Sequence, residues 1–164
     1  MGKGVEQVHF HSPTYGLLNV PQMVRRMEAY IEADPKSPHK IVIGTDSHTT
    51  RQSTTFVTAV VVHRIGKGAC FFFRKQSHRP MVDLRHRIYR ETELSLALVD
   101  LLNENGLRGL LASSPLEIHI DIGQDGDTKA LIAEIKGWVT SVGYVARIKP
   151  DSFGASAVAD RFTS

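Results

Sequence analysis

Three β-rich runs follow one another between residues 41 and 75 with little chain between them. Ile41–Asp46 is short and β-branched, Thr54–His63 is dense in Thr and Val, and Ala69–Lys75 carries Phe71, Phe72 and Phe73. The connections, 47–53 and 64–68, are too short for the helical crossover that a parallel pair needs, and the second contains Gly66 and Gly68. The spacing therefore predicts an antiparallel meander. After it the period changes. Leu84, Ile88, Ser95, Leu98 and Leu102 form one stripe of a helix predicted over 83–104, which Asn105-Gly106 ends. Leu131, Ile132, Ile135, Val139 and Val142 do the same for a helix over 128–142, closed by Gly143. Leu116–Ile122 and Tyr144–Ile148 read as strands joined through that second helix, so they should run parallel. Ahead of the meander, Pro21 opens an amphipathic helix over 21–33, with Met23, Val24, Met27, Tyr30 and Ile31 as its apolar face. Residues 1–19 read as irregular or one short strand, and a short helix is expected in the remainder up to Ser164. The pattern predicts an α/β fold with a mixed five-stranded sheet flanked by helices, plus an extra N-terminal helix.

A chain of 164 residues fits one such domain. The predicted division is an N-terminal extension over 1–39 and the α/β domain over 40–164. The lone cysteine, Cys70, excludes an internal disulfide and, beside three phenylalanines, reads as a buried, inert thiol. No apolar run approaches the roughly 20 residues that span a bilayer. Met1–His11 lacks the apolar core of a signal peptide, so no membrane association and a cytoplasmic location are expected. The formal net charge of +3 is mildly basic and agrees with a nucleic-acid partner without requiring one. The oligomeric state is left open.

Three acidic residues stand out by position. Asp46 ends the run Ile-Val-Ile-Gly-Thr-Asp, and Asp121 ends Ile-His-Ile-Asp. Glu91 lies on the apolar stripe of the long helix, between Ile88 and Ser95, whereas Glu93 falls on nearly the opposite face. Each has an ordinary structural explanation when taken alone. The aspartates could be turn or capping residues, and Glu91 could pair with Arg87 or Arg90. Together they suggest convergent carboxylates, which repel unless a cation joins them. Oxygen-only ligation suits Mg2+ or Mn2+, and two such ions can stabilise the attacking and leaving oxygens of a phosphoryl transfer. A fourth carboxylate should come from the C-terminal segment. Asp151, which follows the last strand, is slightly preferred, with Asp160 kept as the alternative and a helix N-cap as the bland role for Asp151.

The other polar clusters are weaker. None of the eight histidines forms a His-Glu-x-x-His pattern. His9-Phe-His11 could bind a metal but reads as a surface segment. His48, two residues after Asp46, could contact a phosphate or move a proton, or simply occupy a polar hairpin. The Gly-Gln-Asp-Gly-Asp turn at 123–127 lacks the spacing of a calcium loop. Arg64, Lys67, Arg74, Lys75, Arg79, Arg85, Arg87 and Arg90 are dense enough to follow a phosphate backbone or to form a solvated face. An exposed Met/Tyr/Ile face on the N-terminal helix would instead point to protein docking.

From about residue 40 to the end, the chain resembles the YkuK-type branch of the ribonuclease H-like superfamily. The resemblance is carried by Ile-Gly-Thr-Asp-Ser at 43–47, Thr-Phe-Val-Thr-Ala-Val-Val-Val-His-Arg at 55–64 and Arg-Glu-Thr-Glu-Leu-Ser-Leu at 90–96. It continues in His-Ile-Asp-Ile-Gly at 119–123, Gly-Trp-Val at 137–139 and, most specifically, Ile-Lys-Pro-Asp-Ser-Phe-Gly-Ala-Ser-Ala-Val-Ala-Asp-Arg at 148–161. The resemblance implies the five-stranded mixed sheet. It also implies metal ligands at Asp46, Glu91, Asp121 and Asp151 or Asp160. A metal-dependent nuclease is the expected activity, with His48 and Lys149 orienting a phosphate. The superfamily also holds non-catalytic members and ATPases with a related core, so a nucleic-acid-binding or protein-interaction domain is the alternative.

Overall fold

The computed structural model describes residues 8–122 and 129–148. A hairpin of two short strands, β1 (His9–Ser12) and β2 (Gly16–Asn19), leads into helix α1 (Val20–Glu32). The meander follows as β3 (His39–Thr49), β4 (Thr54–Arg64) and β5 (Gly68–His78). Then come α2 (Leu84–Glu104), a single turn α3 (Arg108–Leu111), β6 (Leu116–Ile120), α4 (Lys129–Ser141) and β7 (Val145–Ile148). The sheet order is β2-β1-β5-β4-β3-β6-β7, antiparallel through the meander and parallel from β3 through β6 to β7.

The sheet has seven strands, not the five expected. The two additional strands are β1 and β2, which join the β5 edge through His11 and Phe73. Each is four residues long, and Phe10 and Leu18 are their only buried large apolar residues, so neither shows a readable period. The same segment starts α1. Asn19 and Gln22 form a reciprocal capping box, and Pro21 occupies the first turn.

Strand alternation splits the interior. Ile41, Ile43, Val60, Val62, Phe72 and Ile118 face one side and pack with Met23 and Met27 of α1, Leu98 and Leu102 of α2 and Ile135 of α4. Val42, Val57, Ala59 and Val61 face the other side with Phe71 and Phe73. Met23 and Met27 have no exposed surface. The apolar face of α1 is thus spent on the core, and the idea that it serves as an open docking face is corrected. No described helix is long and apolar enough to cross a membrane. Cys70 is half-buried, and burial pushes its thiol up to about 11.

Candidate active site

β3 outruns β6. Its ladder with β4 continues to Thr49 opposite Thr54, whereas its register with β6 ends at Gly44 opposite His119. Asp46 is therefore not at a strand end, as expected from the sequence, but three residues inside β3. The composition of Ser47-His48-Thr49 looks like a turn, yet these residues pair with Phe56, Thr55 and Thr54. Carrying the parallel register two residues onward sets Asp46 level with Asp121, the first residue after β6. The two aspartates thus flank the point, here called the notch, where the β3–β6 ladder stops among the described residues.

α2 closes the notch on one side. Thr45 and Ser47, two residues apart on β3, meet Ser95 and Glu91, four apart on α2. Thr45 Oγ1 lies 2.8 Å from Ser95 Oγ, and Ser47 Oγ donates to Glu91 Oε2 at 2.5 Å. Two strand residues advance about 6.7 Å and four helical residues about 6 Å, so the two periods keep step. Thr45 also donates to Thr58 Oγ1 at 3.0 Å, making a buried chain of hydroxyls. Because Thr45 and Ser47 both face α2, alternation sends Asp46 towards the other face of β3.

Glu91 is 9% exposed, and the space behind it, between Thr45, Thr92, Ser95, His119 and Ile120, is too small for water. Its carboxyl is pushed up to about 8. Burial is the main cause, and the charges of Asp46 and Asp121 add to it, while the Ser47 hydrogen bond and the Arg87 charge oppose it. Glu91 is therefore near enough to feel both aspartates. Among the described residues, however, no three His, Cys, Asp or Glu side chains form a group able to hold a metal ion.

Glu93 is exposed and pairs with Arg90, as its opposite facing predicts. Arg87 is the cation beside Glu91. Its Nη1 approaches Thr49 Oγ1 at 3.4 Å, and among the described residues its buried Nε has no hydrogen-bond partner. His48 is exposed on β3. Lys149, Asp151, Asp160 and the turn at 123–127 lie outside the described residues. Sequence reasoning assigns Ser47 no role. Its signal was the pairing of a two-residue strand spacing with a four-residue helix spacing.

Other basic residues have structural duties. Arg64 stacks on Tyr30 and, with Lys67, pairs with Asp34, while Arg85 pairs with Glu134. On the β6 side, the Glu117 carboxylate gathers Lys40, Arg147 and the buried His119. Burial works to raise the Glu117 pKa but is outweighed by the His119 hydrogen bond and the charges of Lys40 and Arg147, so it falls below the ordinary value. His119 is lowered by burial against the pull of Glu117.

A long helix packed across a meander whose first strand continues into a parallel pair is the frame seen here, and the Ribonuclease H-like family model matches residues 22–164. The chain belongs to the ribonuclease H-like family. It is 36% identical over 167 residues to the "Uncharacterized protein YkuK" of Bacillus subtilis (strain 168), a match that covers 94% of this chain and 96% of that protein. No solved structure matches. In this ribonuclease H-like chain the β1–β2 hairpin widens the sheet, and the family match begins inside α1, at residue 22.

Proposed function

We propose that this ribonuclease H-like protein is a cytoplasmic, divalent-metal-dependent nuclease that hydrolyses phosphodiester bonds, with Asp46, Glu91 and Asp121 holding Mg2+ or Mn2+. One observation carries the reading: a buried glutamate on a core stripe, raised to about 8 by burial and by two aspartates that press on it. The donor set fits hard cations, because it offers carboxylate and hydroxyl oxygens without sulfur. The repulsion among the acids is what a cation would relieve. A fourth carboxylate, Asp151 or Asp160, would complete the set. When bound, a pair of such ions supplies a nucleophilic hydroxide at neutral pH and offsets the charge that develops on the leaving oxygen.

The chain's own groups do the rest. Ser47 fixes the orientation of Glu91 through its hydrogen bond. Arg87, the cation beside Glu91, would meet a phosphate oxygen at the site. His48 and Lys149 are proposed to orient the phosphate from the open side. The closed space behind Glu91 directs approach through the notch rather than through the helix layer.

A second reading is a non-catalytic nucleic-acid-binding domain. It is favoured by a Glu91 that holds its proton near neutral pH, as a structural acid would. Cleavage of labelled DNA and RNA oligonucleotides, in Mn2+ and in EDTA, separates the two. Metal-dependent cleavage that Glu91→Gln abolishes and Glu93→Gln spares supports the nuclease. No cleavage of any oligonucleotide under either condition leaves the non-catalytic domain.

A further inference from the structure

Beside α2, on its flank towards β5 and β1, the molecule has a cleft of about 330 Å³ that the carboxylate site does not use. Its volume is in the range of small-ligand sites, about 300–1,000 Å³. Leu94, Ala97 and Leu101 from the helix give it an apolar side, and Arg74, Gln76, Arg90 and the Glu93 carboxylate also line it. Arg74 has no ion-pair or hydrogen-bond partner among the described residues, and Arg90 spends one guanidinium nitrogen on Glu93. Among the described residues the buried Nε of Arg90 has no hydrogen-bond partner. The Arg90 side chain as a whole is 32% exposed, so its guanidinium, with that of Arg74, can meet an anion in the cleft.

The sheet register ties this cleft to the carboxylates. Thr45, Thr58 and Arg74 stand in one row across β3, β4 and β5, and Ser47, Phe56 and Gln76 stand in the next. Arg74 and Gln76 therefore lie two strand spacings, about 10 Å, from the residues that hold Ser95 and Glu91. Arg87 stands one helical turn before Arg90 on the same flank, between the cleft and the notch.

We infer that this cleft binds a nucleotide, its phosphate on Arg74 and Arg90 and its sugar and base against Leu94, Ala97 and Leu101. The inference deepens the nuclease reading and rests on it for the source of the ligand, which is a nucleotide of a single strand whose neighbour reaches the notch. A free mononucleotide carries the same chemistry and is the other source.

The test is fluorescence anisotropy of a labelled twelve-residue oligothymidylate in EDTA, with thymidine 5′-monophosphate as competitor, so that binding is read without cleavage. Arg74→Gln should weaken binding about tenfold and lower the slope of log affinity against log salt by about 0.7. Ala97→Phe, which fills the cleft from an exposed helix position, should weaken it as much without removing charge. Lys129→Gln, at the exposed first residue of α4, should change little and controls for net charge. Unchanged affinity in both Arg74→Gln and Ala97→Phe, or no binding of either probe by the wild type, overturns the inference. Loss in both variants sustains it, and the probe affected identifies the source. If those losses occur while Mn2+ supports no cleavage, the cleft stands and the nuclease reading falls. If cleavage is present and the cleft variants bind normally, the reverse holds.

Discussion

Replacing Glu91 with glutamine tests the electrostatic core of the site. The native carboxyl titrates at about 8 against an ordinary 4.5. Below pH 4.5 it is protonated in folded and unfolded chains alike and costs nothing. As pH rises from there, the unfolded chain releases the proton while the folded chain keeps it, so stability falls. The loss is complete once pH passes the folded value. A shift of this size, at about 1.4 kcal/mol per unit, amounts to roughly 4–5 kcal/mol at full ionisation, most of it already present at pH 7. Glu91→Gln keeps the shape and leaves an oxygen to accept from Ser47 Oγ, but it cannot ionise. In EDTA its stability should exceed that of the wild type by a margin that is small near pH 5 and grows to several kcal/mol by pH 9. Urea unfolding followed through the single tryptophan, Trp138, measures this. His119, Glu117 and the other titrating groups are common to both proteins and cancel in the difference. A wild-type-minus-variant difference that stays flat between pH 5 and 9 would refute the claim that Glu91 is held neutral by burial and by Asp46 and Asp121.

Three further outcomes are expected. Mn2+ should raise the melting temperature of the wild type, by the equivalent of about 2.7 kcal/mol at a hundredfold excess over Kd. Asp46→Asn should be no less stable than wild type in EDTA and should blunt that response; equal metal shifts in the two proteins would remove Asp46 from the ligand set. Thr45→Val deletes the hydroxyl between Thr58 and Ser95 and should cost about 1–3 kcal/mol by urea midpoint, since it strands buried partners. Asn19→Ala breaks the capping box of α1 and should cost about 1 kcal/mol in the same assay.

The meander, the two long helices and the parallel pairing of the later strands were legible because each has a period, a stop signal or a connection length that admits few folds. The β1–β2 hairpin was not. Its strands carry polar His9, His11 and Ser12 and owe their place to the β5 edge, a tertiary contact that leaves no local pattern. The far end of β3 failed for the opposite reason. Ser47, His48 and Thr49 have turn-like composition, but cross-strand partners on β4, with Thr49 bonded to Thr54, hold them extended. Glu91 was legible because a helical wheel fixes its facing without knowledge of its neighbours. Its hydroxyl partner and the Arg74–Arg90 cleft were not, because both depend on how strand and helix registers meet.

That registration explains why the site lies in the notch. A carboxylate on a core stripe is less stable there than an apolar residue of its size would be, so packing alone does not account for Glu91. The surroundings act on its two states differently. The crevice behind it excludes water and favours the neutral acid, while Ser47 donates to it and Arg87 favours the anion. β6 ends at Ile120 while β3 runs on to Thr49, so among the described residues the β3–β6 ladder stops short of Asp46 and Asp121. A cation arriving from that side would meet the aspartates first and would draw the proton from Glu91 as it bound. Metal affinity should therefore rise with pH up to about 8, the pH at which the free protein gives up that proton, and level off above it. Calorimetric titration with Mn2+ at pH 6, 7 and 8.5, in buffers of different ionisation enthalpy, reads both the affinity and the proton released. Release approaching one proton per site at pH 6 and falling towards zero at pH 8.5 is the expected result. Binding that releases no proton at pH 6 would mean that Glu91 stays protonated and is not a ligand.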